Sequence, residues 1–290
     1  MVDVGHHNTS VTALWEGMVL KKSKRARPAA PRDCNAIADE LAGLLHSPLA
    51  GAFVNQQIRL MFRTLQPPVP LVPHYTVASK TPVDAGAPSN ATYRSFPDPP
   101  RESFRLLEED RVLASFKESV VQTWSGPGRL DANLDAVRLS PPRPFEMPDG
   151  WNQIFGGERY KVVEALFDAK AAYSDPDHAP PKSDDSIPSL VHRALNNCDV
   201  DTRAALLANV ILTGAGSLIE KMPERLQGDL QVMFPNPRVR VIANPNSVER
   251  KFGAWIGGSV LGSLGTFHQM WISKEEYAEF GAGLVEKRCK

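Results

Sequence analysis

Residues 209–217, Asn-Val-Ile-Leu-Thr-Gly-Ala-Gly-Ser, decide the fold class of this chain of 290 residues. The apolar run at 209–212 ends in a glycine-containing turn, and such a run predicts a buried strand. An apolar pattern of helical spacing continues to Met233, and a second apolar run at 239–243 predicts another strand. Strand, glycine turn, helix and strand in succession are typical of an α/β fold, so the sequence predicts that class.

The glycine turn is also the best candidate for binding a phosphate. Glycines let the backbone approach a ligand, and the start of a helix presents free amides with a partial positive charge. A plain strand-to-helix turn explains Gly214, Ala215 and Gly216 equally well. The turn is not a P-loop, because no Gly-Lys-Ser/Thr sequence closes it.

The opening residues 2–20 predict strands, with a turn at Glu16-Gly17 before a last short strand. Asp3 and Gly5 lie in the first turn and could contact a metal-bound nucleotide, although an ordinary β-turn explains them as well. His6 and His7 are adjacent and point to opposite faces of a strand, which makes them a poor metal-binding pair.

Composition excludes several classes of protein. The chain has 33 basic and 33 acidic residues, so it lacks the uniform positive field that non-specific nucleic-acid binding requires. Its three cysteines cannot form a disulfide framework and have no metal-ligand spacing. No apolar run reaches the roughly 20 residues of a membrane span, and the polar first ten residues are not a secretory signal. We therefore expect a soluble intracellular protein with no membrane contact.

Apolar spacing and the 25 prolines predict the remaining elements. Helices are expected at 33–45, 50–65, 101–124, 160–167 and 186–197, and in the tryptophan- and glycine-rich closing segment. Extended segments are expected at 130–139 and 143–146, and polar loops at 81–100 and 175–185. The basic run at 21–27 is a nuclear-import signal, a phosphate contact or a solvated loop. The sequence offers no specific catalytic triad, dyad or paired carboxylates, so no catalytic residue and no metal site are predicted.

The closing stretch WIGGSVLGSLGTFHQMWISKEEY, residues 255–277, resembles the closing segment of actin and the actin-related proteins. Further matches follow in the order of that family, and they span nearly the whole chain: Trp15-Glu16-Gly17, Ser47-Pro48-Leu49-Ala50-Gly51, Pro148-Asp149-Gly150 and Cys198-Asp199-Val200-Asp201-Thr202-Arg203. The chain thus resembles the actin family. The resemblance implies an actin-like (ribonuclease H-like) α/β fold, of which the sequence matches the carboxy-terminal half only.

The resemblance also implies a division of the chain. Residues 1–49 match the first part of the lower lobe with a basic insertion, and residues 50–175 match the upper lobe (subdomain 4-like). Residues 176–252 match the rest of the lower lobe (subdomain 3-like), and residues 253–290 match the carboxy-terminal segment of subdomain 1. Met1 aligns with the second phosphate hairpin, so the first hairpin has no counterpart. We therefore expect several apolar side chains of the closing segment, including Trp255, Leu261 and Trp271, to be exposed.

The family binds ATP between its lobes, and its site residues can be carried over position by position. Asp3 and Gly5 match the second phosphate hairpin, Gly214, Ala215 and Gly216 match the nucleotide-facing turn, and Lys251 with Phe252 matches the adenine edge. Three departures weaken the match. Ser10 stands where the family has a water-orienting histidine, Ala215 replaces a glycine, and His6-His7 replaces small and acidic residues. The resemblance therefore implies weak ATP binding, with no cofactor required and no ATP hydrolysis.

Several segments resemble the nuclear actin-related protein 4 group more than conventional actin, among them residues 47–51, 247–251 and 264–267. That resemblance implies a nuclear, noncatalytic subunit of chromatin-remodelling and histone-acetyltransferase complexes, which serve transcription and DNA repair. It would be held with actin on a helical segment of the remodeller's motor subunit, without sequence-specific nucleic-acid binding. Direct histone binding stays open. The alternatives are a cytoskeletal, ATP-binding, filament-associated relative of actin, and a fragment without function.

Overall fold

The computed structural model describes residues 1–20, 44–126 and 129–288. The basic run at 21–27 and most of the helix predicted at 33–45 lie outside these residues. Eleven strands occur in the described part, in chain order: β1 (Val2–Val4), β2 (Thr9–Thr12), β3 (Leu14–Trp15), β4 (Met18–Val19), β5 (Leu44–Ser47), β6 (Val77–Thr81), β7 (Asn90–Tyr93), β8 (Arg143–Glu146), β9 (Asn152–Phe155), β10 (Val210–Thr213) and β11 (Val241–Ala243).

Five of these strands form the central sheet, in the order β11-β10-β1-β2-β5. β1 runs parallel to β10, and β10 runs parallel to β11, whereas β2 is antiparallel to both of its neighbours. The strands predicted at 209–212 and 239–243 are therefore confirmed as adjacent parallel strands. Three two-stranded ribbons accompany the sheet: β3 with β4, β6 with β7 and β8 with β9.

Helices pack against the central sheet and against the ribbon of β8 and β9, which confirms the α/β class. In chain order the described helices are α1 (Gly51–Thr64), α2 (Glu102–Ser119), α3 (Leu134–Leu139), α4 (Glu158–Glu164), α5 (Ile187–Asn196), α6 (Val200–Leu207), α7 (Met222–Met233), α8 (Ser247–Ser263), α9 (Lys274–Phe280) and α10 (Leu284–Arg288). Among these helices, none combines the length and the apolar character that crossing a membrane requires.

Three sequence predictions are wrong. Leu44 and Leu45 belong to β5 instead of a helix, because they pair with β2 at the edge of the sheet. The loop predicted at 81–100 contains β7, which pairs with β6 and is held by a hydrogen bond of 3.2 Å from Tyr93 Oη to Asp149 Oδ2. Residues 131–139 of the segment predicted as extended are helical, and the two buried side chains Leu130 and Val137 are seven residues apart, which is two helical turns.

An aromatic cluster lies in the core between α1, α2 and the ribbon of β8 and β9. The ring of Phe116 lies 5.1 Å from that of Phe62 and 4.9 Å from those of Phe145 and Phe155, all in edge-to-face geometry. Phe62, Phe116 and Phe155 are fully buried. This cluster is continuous with the apolar side chains between the central sheet and α5, so one core fixes the sheet relative to α1 and α2.

The closing segment differs from the rest of the chain because it contributes no buried side chain within its described helices α8 and α9. Trp255 is 74% exposed and Trp271 is 60% exposed, and Leu261 and Leu264 are also exposed. The exposure expected from the sequence is therefore observed. Exposed apolar groups on this scale are typical of surfaces that contact other proteins.

Replacement of Phe116 by alanine should destabilise the protein by about 3–5 kcal/mol, because a large cavity would remain among three aromatic neighbours. Phe96→Ala is the matched control, since Phe96 is 40% exposed and its loss should cost less than about 1 kcal/mol. Urea denaturation followed by tryptophan fluorescence measures both values. Equal losses in the two variants would contradict the placement of the core.

Candidate functional site

The hairpin between β1 and β2 carries the first group of predicted site residues. Its turn is closed by a hydrogen bond of 3.0 Å from the Gly5 amide to the Asn8 carbonyl. A β-carbon at position 5 would lie 2.9 Å from that same carbonyl oxygen, so the turn requires glycine. Asp3 lies opposite Ser10 in the register of the two strands.

The same hairpin covers the amino-terminal end of α1. The amides of Gly51 and Ala52 donate to the carbonyls of Gly5 and His6, at 3.1 and 2.6 Å. The first amides of a helix have no partner within the helix and must find one elsewhere. Here the hairpin supplies that partner, so the helix end fixes the hairpin instead of offering those two amides to a ligand.

The glycine turn after β10 packs directly against β1. Gly214 has φ +89°, and a β-carbon there would lie 2.3 Å from Asp3 Oδ1 and 2.4 Å from the Val4 carbonyl oxygen. A β-carbon on Gly216 would lie 2.6 Å from Val4 Cγ1. Both glycines are therefore required for packing. The structure brings the two predicted glycine-containing motifs into contact, although they lie about two hundred residues apart in the sequence.

The start of α8 completes the arrangement. The Arg250 carbonyl accepts hydrogen bonds of 3.1 Å from the Gly214 amide and from Thr213 Oγ1. Lys251 Nζ lies 5.3 Å from the centroid of the Phe252 ring. The helix is interrupted at Phe252, whose backbone has φ −106° and ψ 16°, and the Phe252 side chain is half-exposed.

A cavity of about 800 Å³ opens between these elements and α2. Four of the predicted site residues line it, namely Gly5, Ala215, Gly216 and Lys251. The other three, Asp3, Gly214 and Phe252, lie beside the cavity and outside its lining. The volume falls within the range of small-molecule and nucleotide sites.

Sequence reasoning missed the contribution of α2 to this cavity. Lys117 lies on the cavity wall, where Nζ donates to Asn55 Oδ1 at 2.8 Å and to the Gly51 carbonyl at 3.3 Å. Burial lowers the pKa of Lys117, while Glu118 and Asp110 act in the opposite direction. The only local signal was a lysine directly after Phe116, one of the apolar residues at helical spacing.

Some of the charged side chains near the hairpin are held in ion pairs, and others are not. Burial lowers the pKa of His6, and the neighbouring Lys117 ammonium adds to that effect. Arg111 and Arg143 also line the cavity, but they are already paired with Glu108 and Glu220. Lys117, Lys251 and Arg250 are the lining cations without an ion pair among the described residues.

The cavity residues fit an anionic ligand of nucleotide size. The Nε atom of Arg250 is buried and has no hydrogen-bond partner among the described residues, which fits a group that would donate to a bound acceptor. Lys117, Lys251 and Arg250 would hold the anionic part of such a ligand. Within residues 1–20, 44–126 and 129–288, no three His, Cys, Asp or Glu side chains are grouped to hold a metal ion.

Asp3 and Ser10 lie in one row across the sheet, since Asp3 is opposite Ser10, and Ser10 is opposite His46. Burial raises the pKa of the Asp3 carboxyl. A serine hydroxyl is shorter than an imidazole and has no pKa near neutrality, so Ser10 cannot act as a base at neutral pH.

The family model for actin matches residues 41–290 of the chain. The chain belongs to the actin family. The membership accounts for the central sheet with its antiparallel hairpin and two parallel strands, and it confirms the actin-like fold expected from the sequence. The cavity described above is thus a feature of an actin-family protein.

Within the actin family, the chain is similar to several fungal proteins named actin-related protein 4. It is 48% identical to that of Emericella nidulans and 45% identical to that of Gibberella zeae, with the whole chain aligned in both cases. It is also 32% identical to a Schizosaccharomyces pombe protein named "SWI/SNF and RSC complexes subunit arp42". The chain spans 60%, 58% and 66% of the lengths of these three proteins.

Replacement of Gly214 by alanine should strongly destabilise the protein, by at least about 2 kcal/mol, because the added β-carbon meets backbone and the φ is left-handed. Gly228→Ala is the matched control. Gly228 lies inside α7 with open space around it, so alanine there should stabilise by up to about 1 kcal/mol. Thermal unfolding of both variants tests the packing of the turn, and a neutral Gly214→Ala would contradict it.

Proposed function

We propose that this actin-family chain acts as a noncatalytic subunit of a nuclear chromatin-remodelling complex. The observation that carries the proposal is its similarity along its whole length to proteins named actin-related protein 4, together with a relative whose name places that relative in the SWI/SNF and RSC complexes. By the same reasoning we propose a nuclear location. The chain would contribute protein contacts, as a scaffold held together with actin on a helical segment of the motor subunit.

The exposed closing segment supports a role in protein contacts. Trp255, Leu261 and Trp271 present large apolar side chains that are exposed. Burying such side chains against another protein stabilises a complex by roughly 1.5–3 kcal/mol each. We propose that part of the contact with the complex lies on this segment.

Two features of the site support a noncatalytic role. Ser10 offers no imidazole to orient water. Two of the lining arginines are already neutralised by glutamates. A triphosphate would therefore meet only part of the positive charge that the lining residues carry.

Affinity purification of the tagged chain from nuclear extract tests the function. We expect a remodeller motor subunit and actin to co-purify with it, and Trp255→Asp should reduce their recovery several-fold. Val232→Asp is the control, since Val232 is 81% exposed on α7, away from the closing segment. Recovery of filament components instead, without motor subunits, would favour a cytoskeletal role and contradict the proposal.

Isothermal titration with ATP, together with an assay of phosphate release, tests whether the cavity binds and hydrolyses the nucleotide. We expect a dissociation constant well above micromolar, because few of the lining cations are free of an ion pair. We expect no release of phosphate, because Ser10 stands where the family has a water-orienting histidine. Lys117→Met should abolish any heat of binding that remains. A micromolar affinity, or ATP hydrolysis above the buffer rate, would show that the site is intact.

A further inference from the structure

A second group of buried polar side chains lies outside the cavity, around the ring of Tyr160. Arg159, the second residue of α4, is only 3% exposed. Its guanidinium carbon lies 4.5 Å from the centroid of the Tyr160 ring, and its Nη2 donates to Tyr160 Oη. The Nε atom of Arg159 is buried and has no hydrogen-bond partner in the part of the chain that the structure describes.

Trp124 contacts the same ring from another direction. Its indole lies edge-to-face to Tyr160, with centroids 5.7 Å apart and an interplanar angle of 86°. Trp124 is 7% exposed, and its Nε1 is also buried without a hydrogen-bond partner among residues 1–20, 44–126 and 129–288. The backbone brings the two segments side by side, since the Gln122 amide donates to the Arg159 carbonyl. The hydroxyl of Thr123, next in the chain, is a third buried group without a partner.

The absence of a counter-ion sets Arg159 apart from the other buried arginine nearby. Arg225 is also almost fully buried, and it forms ion pairs with Glu164 and Asp229. No carboxylate among the described residues lies within ion-pair distance of Arg159. A buried charge that lacks a partner is strongly unfavourable, whereas one matched by an opposite charge is tolerated.

The unpartnered groups on Arg159 and Trp124 can only donate hydrogen bonds. A guanidinium N–H and an indole N–H have no acceptor capacity, and the guanidinium stays protonated at all physiological pH values. Their missing partner must therefore be an acceptor, and a negatively charged one would also balance the guanidinium. Both side chains are more than nine-tenths buried, so only a small acceptor can reach them.

We propose that Arg159 and Trp124, held around the Tyr160 ring, bind one small inorganic anion of halide size. The anion accepts hydrogen bonds from Arg159 Nε and Trp124 Nε1 and serves as the counter-ion of the buried guanidinium. The site is separate from the cavity near Lys117, because none of these three residues lines that cavity. The anion would stabilise the junction of α4 with residues 122–124.

Bromide is the probe that tests this site. Thermal unfolding is followed in sodium bromide mixed with sodium gluconate at constant ionic strength. We expect the midpoint to rise with bromide, by about 2–4 °C for each tenfold increase above half-occupancy. Trp124→Phe keeps the aromatic contact with Tyr160 but removes the N–H group, so the rise should fall to less than half.

Trp151→Phe is the matched control. Trp151 is buried to a similar degree in the main core, but its indole nitrogen is not among the buried atoms that lack a partner. This variant should keep the full response to bromide. Arg159→Met should lose the response entirely, and if that variant does not fold, Trp124→Phe against Trp151→Phe still decides the question.

Crystals grown in sodium bromide locate the ion directly. Anomalous scattering should place one bromide within hydrogen-bond distance of both Arg159 Nε and Trp124 Nε1. Bromide found only at surface arginines is an adventitious ion only, and it would overturn the proposal. An equal midpoint in bromide and gluconate, or a response that Trp124→Phe leaves intact, would also overturn it and assign the partner role to ordered water.

Discussion

The close packing of the glycine turn on β1 is the constraint on which the rest of the structure depends. Gly214 and Gly216 approach Asp3 and Val4 more closely than any side chain would allow. That approach lets β10 pair with β1 in parallel and fixes where the chain leaves the sheet. The Gly214 amide then anchors α8 through the Arg250 carbonyl, so the position of the closing segment follows from the same contact.

A second constraint acts at the other side of the cavity, where the hairpin carbonyls satisfy the first amides of α1. This contact uses the helix end that would otherwise attract an anion, and Lys117 reinforces it by donating to Gly51 and Asn55. The ammonium is thus partly committed to the protein itself. The hairpin, the helix end and the lysine form one polar unit, whose cost of burial appears as the lowered pKa values of Lys117 and His6.

Local sequence patterns predicted the parts of the fold that depend on local chemistry. The turn at Glu16-Gly17, the strand at β10 and helices α1, α2 and α5 follow from spacing and turn residues. The errors arose where contacts between residues far apart in the sequence determine the secondary structure. β5 is a strand because it pairs with the edge of β2, and α3 is helical because Val137 packs beside Trp124. For the same reason the sequence could propose Gly5 and Gly216 as site residues but could not place Lys117 in the cavity. The glycines have local signatures, whereas the orientation of α2 depends on the aromatic core.

The two buried arginines, Arg225 and Arg159, differ in whether a carboxylate balances the charge of the guanidinium. Arg225 joins α7 to α4 through Glu164, and it also donates to the Trp124 carbonyl at 3.0 Å, so its charge is balanced by the protein. Arg159 stacks on Tyr160 and leaves its charge unbalanced by the described residues. Both lie on segments that meet at Trp124. If the protein supplied a carboxylate to both, the junction would be stable without any ligand. Because the described residues supply carboxylates to Arg225 and none to Arg159, the proposed anion would add to the stability of the junction.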